Sequence, residues 1–517
     1  MKLNYKRTIL VGFAFFLISA FWQAYDATIP VILTNKFGMS QTWSGVIMAL
    51  DNILAVFMLP IFGALSDKCH TKIGKRTPFI TIGTVVAAVA ILCLSFVDNA
   101  QLQNISAVSV IDDPAALEVI YDTQADRKLL TPEGDTVVLR DEFTKEEFTA
   151  IRCKITDAAT GKTVTNPEYT NYVAPARQAY AAERTAQNTV PLILFVALLL
   201  VVLVAMATFR SPAVALMPDV TMKPLRSKAN AVINLMGTAG GILVLVLGMV
   251  FSTSAVQNAM MSYTVYYSII AAIMLGALTV FLCTVREPKW SAQMASDSIK
   301  YGIEDETPDT DKKRSLSASE KKSLICILLS IVLWYFGYNA VTSKYAVYAG
   351  NILDKDYNTT MLLAQAAAIV AYLPAGTVAS KIGRRKTILG GIVMLTTAFG
   401  CAAFMRSSSP TLVMNILFAL AGVAWATINV NSFPMVVEMC SGADIGKYTG
   451  FYYTASMSAQ IVTPMLSGFL MDQMGMTILF PYAAIFVALA FVTMFLAKHG
   501  DAKILAKKGL EAFDNED

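Results

Sequence analysis

Four ionisable side chains stand inside long apolar stretches of this chain: Asp26, Asp51, Arg210 and Lys344. A charge in hydrocarbon is costly, so such residues mark ion or solute pathways, proton relays or paired structural charges. A carboxylate that carries a proton must change its proton affinity as its surroundings alternate between water and a low dielectric. A nearby cation or second acid sets the range of that change. Asp51, followed by Asn52, is the first candidate for such a carrier, and Asp26 the second. Arg210 lies roughly 10 Å deeper along its span at about 1.5 Å per residue. There it can hold a carboxylate ionised or hydrogen-bond hydroxyl groups. The alternative for Asp51 is a static ion pair or a cap at a wet helix end. For Lys344, close to the end of its span, that static reading is the better one.

A hydroxylated ring needs hydrogen-bonding groups for its hydroxyls and an aromatic face for its C–H side. Near mid-span these can come from Trp22, Gln23, Tyr25, Asn52, Asn234, Trp334, Tyr335, Tyr338 and Asn339. Gln365, Trp425, Asn429, Asn431 and Gln460 join them. Trp425 and Asn429 are one helical turn apart and share a face. The competing roles are interfacial anchoring for Trp and Tyr and helix-to-helix hydrogen bonding for Asn and Gln.

These residues are carried by a chain of 517 residues, 55% hydrophobic and only 15% charged, against roughly 25% charged in soluble domains. A single aqueous core cannot hide that much apolar surface. Apolar runs of about 20 residues, enough to cross a bilayer, recur six times before residue 286 and six times after residue 322. The first run, from about Thr8 to Leu33, is too long for a cleaved signal and reads as a retained span. Lys and Arg cluster at one end of the spans: Lys2, Lys6 and Arg7; Lys72, Lys75 and Arg76; Lys223, Arg226 and Lys228; Arg384, Arg385 and Lys386. That asymmetry predicts cytoplasmic termini.

The division expected is spans 1–3 over 1–97, an extracytoplasmic insert over 98–188, and spans 4–6 over 189–285. A cytoplasmic linker over 286–322, spans 7–12 over 323–498 and a cytoplasmic tail over 499–517 follow. Alternating segments around Asp135–Arg140 and Ile151–Ile155 predict strands in the insert. Thr144-Lys-Glu-Glu147 predicts a capping box.

The loop after span 2 reads Gly63-Ala-Leu-Ser-Asp67-Lys-Cys-His-Thr-Lys-Ile73-Gly74-Lys75-Arg76; that after span 8 ends Lys381-Ile-Gly383-Arg384-Arg385. The same element six spans apart implies duplicated halves. Gly74 and Gly383 permit a tight turn, and the cations beside them can grip helix ends or carboxylates, best Asp219 and Glu438. A purely topogenic role for these basic loops is the alternative. The loop resembles the signature of the major facilitator superfamily. Its extension through Thr77-Pro78-Phe79-Ile80, with Arg210-Ser-Pro212 to Asp219, Lys228-Ala-Asn230-Ala and Gly422-Val-Ala-Trp425, is similar to the plant sucrose transporters and their proton-coupled relatives. In the related sodium-coupled melibiose carriers a carboxylate would stand at the Arg210 position, so Arg there implies proton coupling.

The resemblance implies an all-α membrane protein: a twelve-helix major facilitator fold of two six-helix halves with a small β-rich extracytoplasmic insert. It implies a plasma-membrane carrier for a sugar (a glucoside such as sucrose or maltose) and protons, working by alternating access. Its expected partners are the substrate and the bilayer, with no nucleic acid, as a monomer. Two rivals stand beside it: efflux of drugs or organic cations, and a receptor acting through the insert. Cys residues are scattered and His occurs only at His70 and His499, so neither metal spacing nor a nucleophile–base set emerges. No enzyme and no cofactor is expected.

Overall fold

The computed structural model describes residues 3–156, 161, 163–222, 225–301, 316–437, 439 and 445–500. The first half opens with α1 (Tyr5–Asn35), α2 (Gln41–Asp67) and α3 (Thr77–Asn104). An insert follows, with α4 (Pro114–Gln124), α5 (Leu139–Glu142), α6 (Lys145–Ala150) and α7 (Ala174–Gln187). The half closes with α8 (Val190–Val220), α9 (Arg226–Phe251) and α10 (Thr264–Thr284). A short connecting helix, α11 (Glu287–Lys300), leads to α12 (Ala318–Tyr348), α13 (Tyr357–Ile382) and α14 (Arg384–Ala402). Last come α15 (Thr411–Val437), α16 (Ile445–Met474) and α17 (Leu479–Leu496).

Twelve of these helices are long, because in lipid a spanning backbone must satisfy its own N–H and C=O groups. Among the described residues nine are apolar and long enough to cross a membrane by composition alone. The other three long helices, α13, α14 and α16, occupy equivalent places in the bundle.

The two halves pack by the same rules. In the first, α1 pairs with α9 and α10, α3 with α8 and α10, and α2 with α8. In the second, α12 pairs with α16 and α17, α14 with α15 and α17, and α13 with α15. Shifted by six spans, these pairings coincide. Each half has its own apolar core, one around Leu17, Ile91, Phe209 and Met274, the other around Ile331, Trp334, Phe399 and Phe480. The halves meet along two seams, α2 with α16 and α9 with α13, again related by the repeat. The α2–α16 seam is close because a Cβ on Gly45 would overlap the Pro464 carbonyl, and one on Gly468 the Gln41 carbonyl.

The insert corrects one expectation. It holds strands at both expected places, β2 (Thr136–Val138) and β3 (Lys154–Thr156), each in a hairpin, with β1 (Lys128–Leu130) and β4 (Thr163–Thr165) respectively. It also holds the Thr144–Glu147 capping box at α6. Helices nevertheless outweigh strands, so it is not β-rich. Leu117 and Ile120 on α4, and Ala176, Tyr180 and Ala181 on α7, recur at helical spacing and fill its core with Phe148 and Tyr169. Its boundary also shifts, since α3 runs on to Asn104.

The segment expected as a polar linker over 286–322 opens with α11 rather than irregular chain. Glu287 and Trp290 are buried, and Arg7 of α1 donates to Gln293 at 2.9 Å while its guanidinium lies 5.3 Å from the centre of the Trp290 ring. Amphipathic docking, which composition alone does not reveal, makes it a helix.

Candidate functional site

A central cavity of about 170 Å³ lies between the halves, lined by Trp22, Tyr25 and Asp26 of α1, Met48, Asp51 and Asn52 of α2, and Arg210 of α8. From the second half Asn339, Thr342 and Ser343 of α12 and Gln460 and Pro464 of α16 complete it. The three charged residues placed by sequence in separate spans therefore share one chamber. Asp51 accepts a hydrogen bond from the Asn52 side-chain amide at 2.7 Å. The Arg210 guanidinium lies 5.7 Å from the centre of the Trp22 ring, within cation–π range.

Three polar atoms on this wall are buried without a partner: the indole N–H of Trp22, the hydroxyl of Tyr25 and the amide nitrogen of Asn339. A buried donor left unmade is expensive. The chamber is thus built for hydrogen-bonding contents, with an aromatic face at Trp22 and a cation at Arg210.

Other candidates sit elsewhere. Gln23 donates to the Tyr357 hydroxyl at 3.2 Å and accepts from Gln365 at 2.5 Å. These two amides, expected to meet a solute, tie α1 to α13 instead. Trp334 is packed inside the second-half core. Tyr338 and Trp425 stack on one another with ring centroids 3.6 Å apart and planes within 4°, and Tyr335 meets Trp425 edge-on. Asn429 lies beside Tyr372, Asn431 donates to the Thr427 carbonyl at 2.8 Å, and Asn234 is exposed outside the cavity.

Lys344 is fully buried, and its ammonium donates to the Gln41 carbonyl at 2.5 Å across the seam. Sequence reasoning missed Met48, Thr342, Ser343 and Pro464. Thr342 and Ser343 follow Asn339 by three and four residues, a same-face signal that was available.

The glycine loop forms a second polar cluster at the end of the bundle bearing the termini. Gly74 has φ +125°, a conformation that favours glycine, and a Cβ there would overlap the Glu287 carboxylate. Glu287 accepts from the backbone N–H groups of Lys75 at 2.8 Å, Arg76 at 2.9 Å and Thr77 at 2.8 Å. It thereby closes the N-terminus of α3 with a negative charge. Arg76 donates through Nε to Asp219 at 2.8 Å and pairs with Asp67, and Lys75 reaches Asp219 at 3.2 Å. Arg76 Nη1 also donates to Ser66 Oγ and the Gly63 carbonyl.

In the second loop Gly383 has φ +95°, Arg384 opens α14, and Arg385 donates to the carbonyls of Met494 and Phe495. Glu438 lies outside the described residues. Glu287, the best-connected carboxylate of the first loop, had no sequence signal beyond its place before Pro288.

Comparison with known proteins follows the same division. Residues 10–109 match the family described as MFS/sugar transport protein, and residues 327–512 match the Major Facilitator Superfamily. The MFS-type transporter ppzB of Metarhizium rileyi is 28% identical over 134 residues, 26% of this chain and 27% of that protein. The sucrose transport protein SUC4 of Arabidopsis thaliana is 30% identical over 74 residues, 14% of each chain. The stretches matched are therefore about a quarter or less of those relatives' lengths. The inward open conformation of the xylose transporter XylE from E. coli has the same fold, with TM-score 0.58, 14% identity and 99% of both chains covered. Family models of the major facilitator superfamily thus match the first three spans and the second half, and the chain is similar to that superfamily on both sides of the repeat that the glycine loops mark.

Proposed function

We propose that the protein is a proton-coupled sugar transporter that takes up a glucoside, such as sucrose or maltose, by alternating access. The observation that carries this reading is the chamber itself. It is contributed by both halves, holds two carboxylates and one guanidinium, and leaves the Trp22, Tyr25 and Asn339 donors without partners. Two halves that each wall one side can expose it to opposite faces by rocking. Hydroxyl groups satisfy the free donors, and the Trp22 ring offers a C–H face. A greasy cation would leave those donors unmade, which argues against drug efflux.

Asp51 is the first candidate for the proton carrier in this reading and Asp26 the alternative, with Arg210 setting their electrostatics. Asp51 already has an amide partner in Asn52, so its charged form is supported while empty. The division into two membrane halves, an extracytoplasmic insert and a cytoplasmic linker follows the placement of Lys and Arg, with both termini inside the cell. On that orientation the hydrogen bonds that join the halves near the insert, Lys344 to Gln41 and Ser254 to Asp356, close the outer side. At about 170 Å³ the chamber is below the ~300 Å³ at which drug-sized pockets begin. A disaccharide therefore requires the halves to part.

Uptake of radiolabelled mono- and disaccharides, with nucleosides as controls, into proteoliposomes under an imposed pH gradient tests this directly. Accumulation of a glucoside that collapses with the gradient is expected. Uptake indifferent to the gradient removes the coupling, and uptake of nucleosides alone removes the sugar.

A further inference from the structure

A second cavity, of about 40 Å³, lies where the insert meets both halves. It is walled by the insert at Tyr169 and Arg177, by the end of α1, by the connection between α9 and α10, and by the end of α12. Arg177 is 2% exposed. One of its nitrogens, Nη2, donates to the Ile111 carbonyl at 3.0 Å, and its guanidinium lies 5.7 Å from the centre of the Tyr169 ring. The other two, Nε and Nη1, are buried without an acceptor. Asp112, next to Ile111, spends one carboxylate oxygen on the Cys153 N–H at 2.7 Å.

A buried cation with two unmade donors is a configuration proteins avoid unless something neutralises it. The space beside Arg177 exceeds the ~10–15 Å³ that one water requires, but is far too small for a sugar. The wall sets apolar Val31 and Val347 beside the polar side chains of Asn35, Gln178, Ser254 and Asn351. A water finds polar partners there but leaves the guanidinium charge uncompensated. A small anion supplies the charge as well, and its attraction to the guanidinium grows in a low dielectric.

We propose that Arg177 and this cavity bind a small monovalent inorganic anion of halide size, which pins the insert to both halves and stabilises the arrangement closed at the insert end. The anion bridges three bodies that must separate for the chamber to open on that side. Its binding favours the closed form by its differential affinity. This inference is independent of which solute the central chamber carries.

The test uses the purified full-length protein in detergent. Sodium gluconate is replaced by sodium chloride or bromide at constant ionic strength, and the thermal unfolding midpoint is followed. A saturable rise of a few degrees is expected for the native chain and a flat response for Arg177→Met. A flat response of the native chain, or an equal rise in both, overturns the proposal. Should Arg177→Met fail to fold, anomalous diffraction from bromide-soaked crystals of the native protein decides. A peak in contact with the guanidinium supports the site, and density for water alone overturns it.

Discussion

Asp472, near the insert end of α16, closes the N-terminus of α2 in the opposite half through Thr42. Its carboxylate accepts the Thr42 N–H at 2.7 Å and the Thr42 hydroxyl at 2.5 Å, and its second oxygen takes the Gln41 N–H at 2.7 Å. In the proposed alternating-access cycle, helix capping by a residue from the other half is a contact that must break. Removing its charge with Asp472→Asn should weaken the closure by about 1–2 kcal/mol, a roughly five- to thirty-fold shift in population. Labelling of a single cysteine placed at Asn339 by an impermeant maleimide, applied from the insert side, should accelerate accordingly. An unchanged labelling rate would show that this cap does not hold the closed form.

The Trp22 indole N–H is one of the free donors on the chamber wall. Trp22→Phe deletes that donor while keeping an aromatic ring beneath Arg210. If a solute hydroxyl accepts from the indole, one hydrogen bond of about 1 kcal/mol is lost, and KM should rise roughly fivefold with little change in maximal rate. A fall in rate at constant KM would instead place Trp22 in the conformational step.

Much of this was legible in the residues. Apolar runs gave the helices, and the expense of charge in hydrocarbon singled out Asp26, Asp51 and Arg210, which do share one chamber. The orientation of neutral polar residues was not legible. Spanning helices that are apolar on all sides carry no amphipathic signal, so Gln23 and Gln365 could equally face a solute or each other. Lys36 shows the same limit. It reads as a loop cation, yet it is fully buried and salt-bridged to Asp98 at 2.7 Å. Nothing local couples residues 62 positions apart. The insert reads as β-rich from its short alternating segments, whereas the i, i+3 spacing of Leu117 and Ile120 is what builds its helical core.

The first glycine loop depends on backbone geometry as well as charge. Gly74→Ala forces a side chain into a positive-φ position and against the Glu287 carboxylate. A cost of about 1–3 kcal/mol is expected, seen as a lowered thermal midpoint in detergent. Glu287→Gln, which keeps the shape but removes the charge at the α3 N-terminus, should cost less. If Gly74→Ala is as stable as the native chain, the loop is not held as described.

Asp356 caps α13 and accepts from Ser254 at 2.5 Å and from the Thr359 hydroxyl at 2.5 Å, joining the halves at the α9–α13 seam. Burial raises its carboxyl pKa, but the hydrogen bonds from Ser254, Thr359 and Asn358 outweigh that and hold it below its ordinary 3.8. A depressed carboxylate contributes stability that is fully present above the unfolded value and is lost only as pH falls through the folded one. This latch should therefore be insensitive to pH from about 5 to 8. Spin-label distances across the seam should not move in that window. A change there would assign the pH response of the carrier to this latch rather than to the chamber.

Coupling makes the sharpest demand on the chamber carboxylates. If Asp51 carries the proton, Asp51→Asn leaves a neutral group that hydrogen-bonds but cannot be charged or discharged between the two faces. Net uptake driven by a pH gradient should then vanish, while exchange of labelled for unlabelled sugar persists, because exchange needs no return of the unprotonated carrier. Asp26→Asn should spare driven uptake if Asp26 only shapes the field around its partner. If the two replacements give the reverse pattern, Asp26 is the carrier. Should both lose exchange as well as uptake, the acids serve to bind sugar, and proton movement has to be sought outside this chamber.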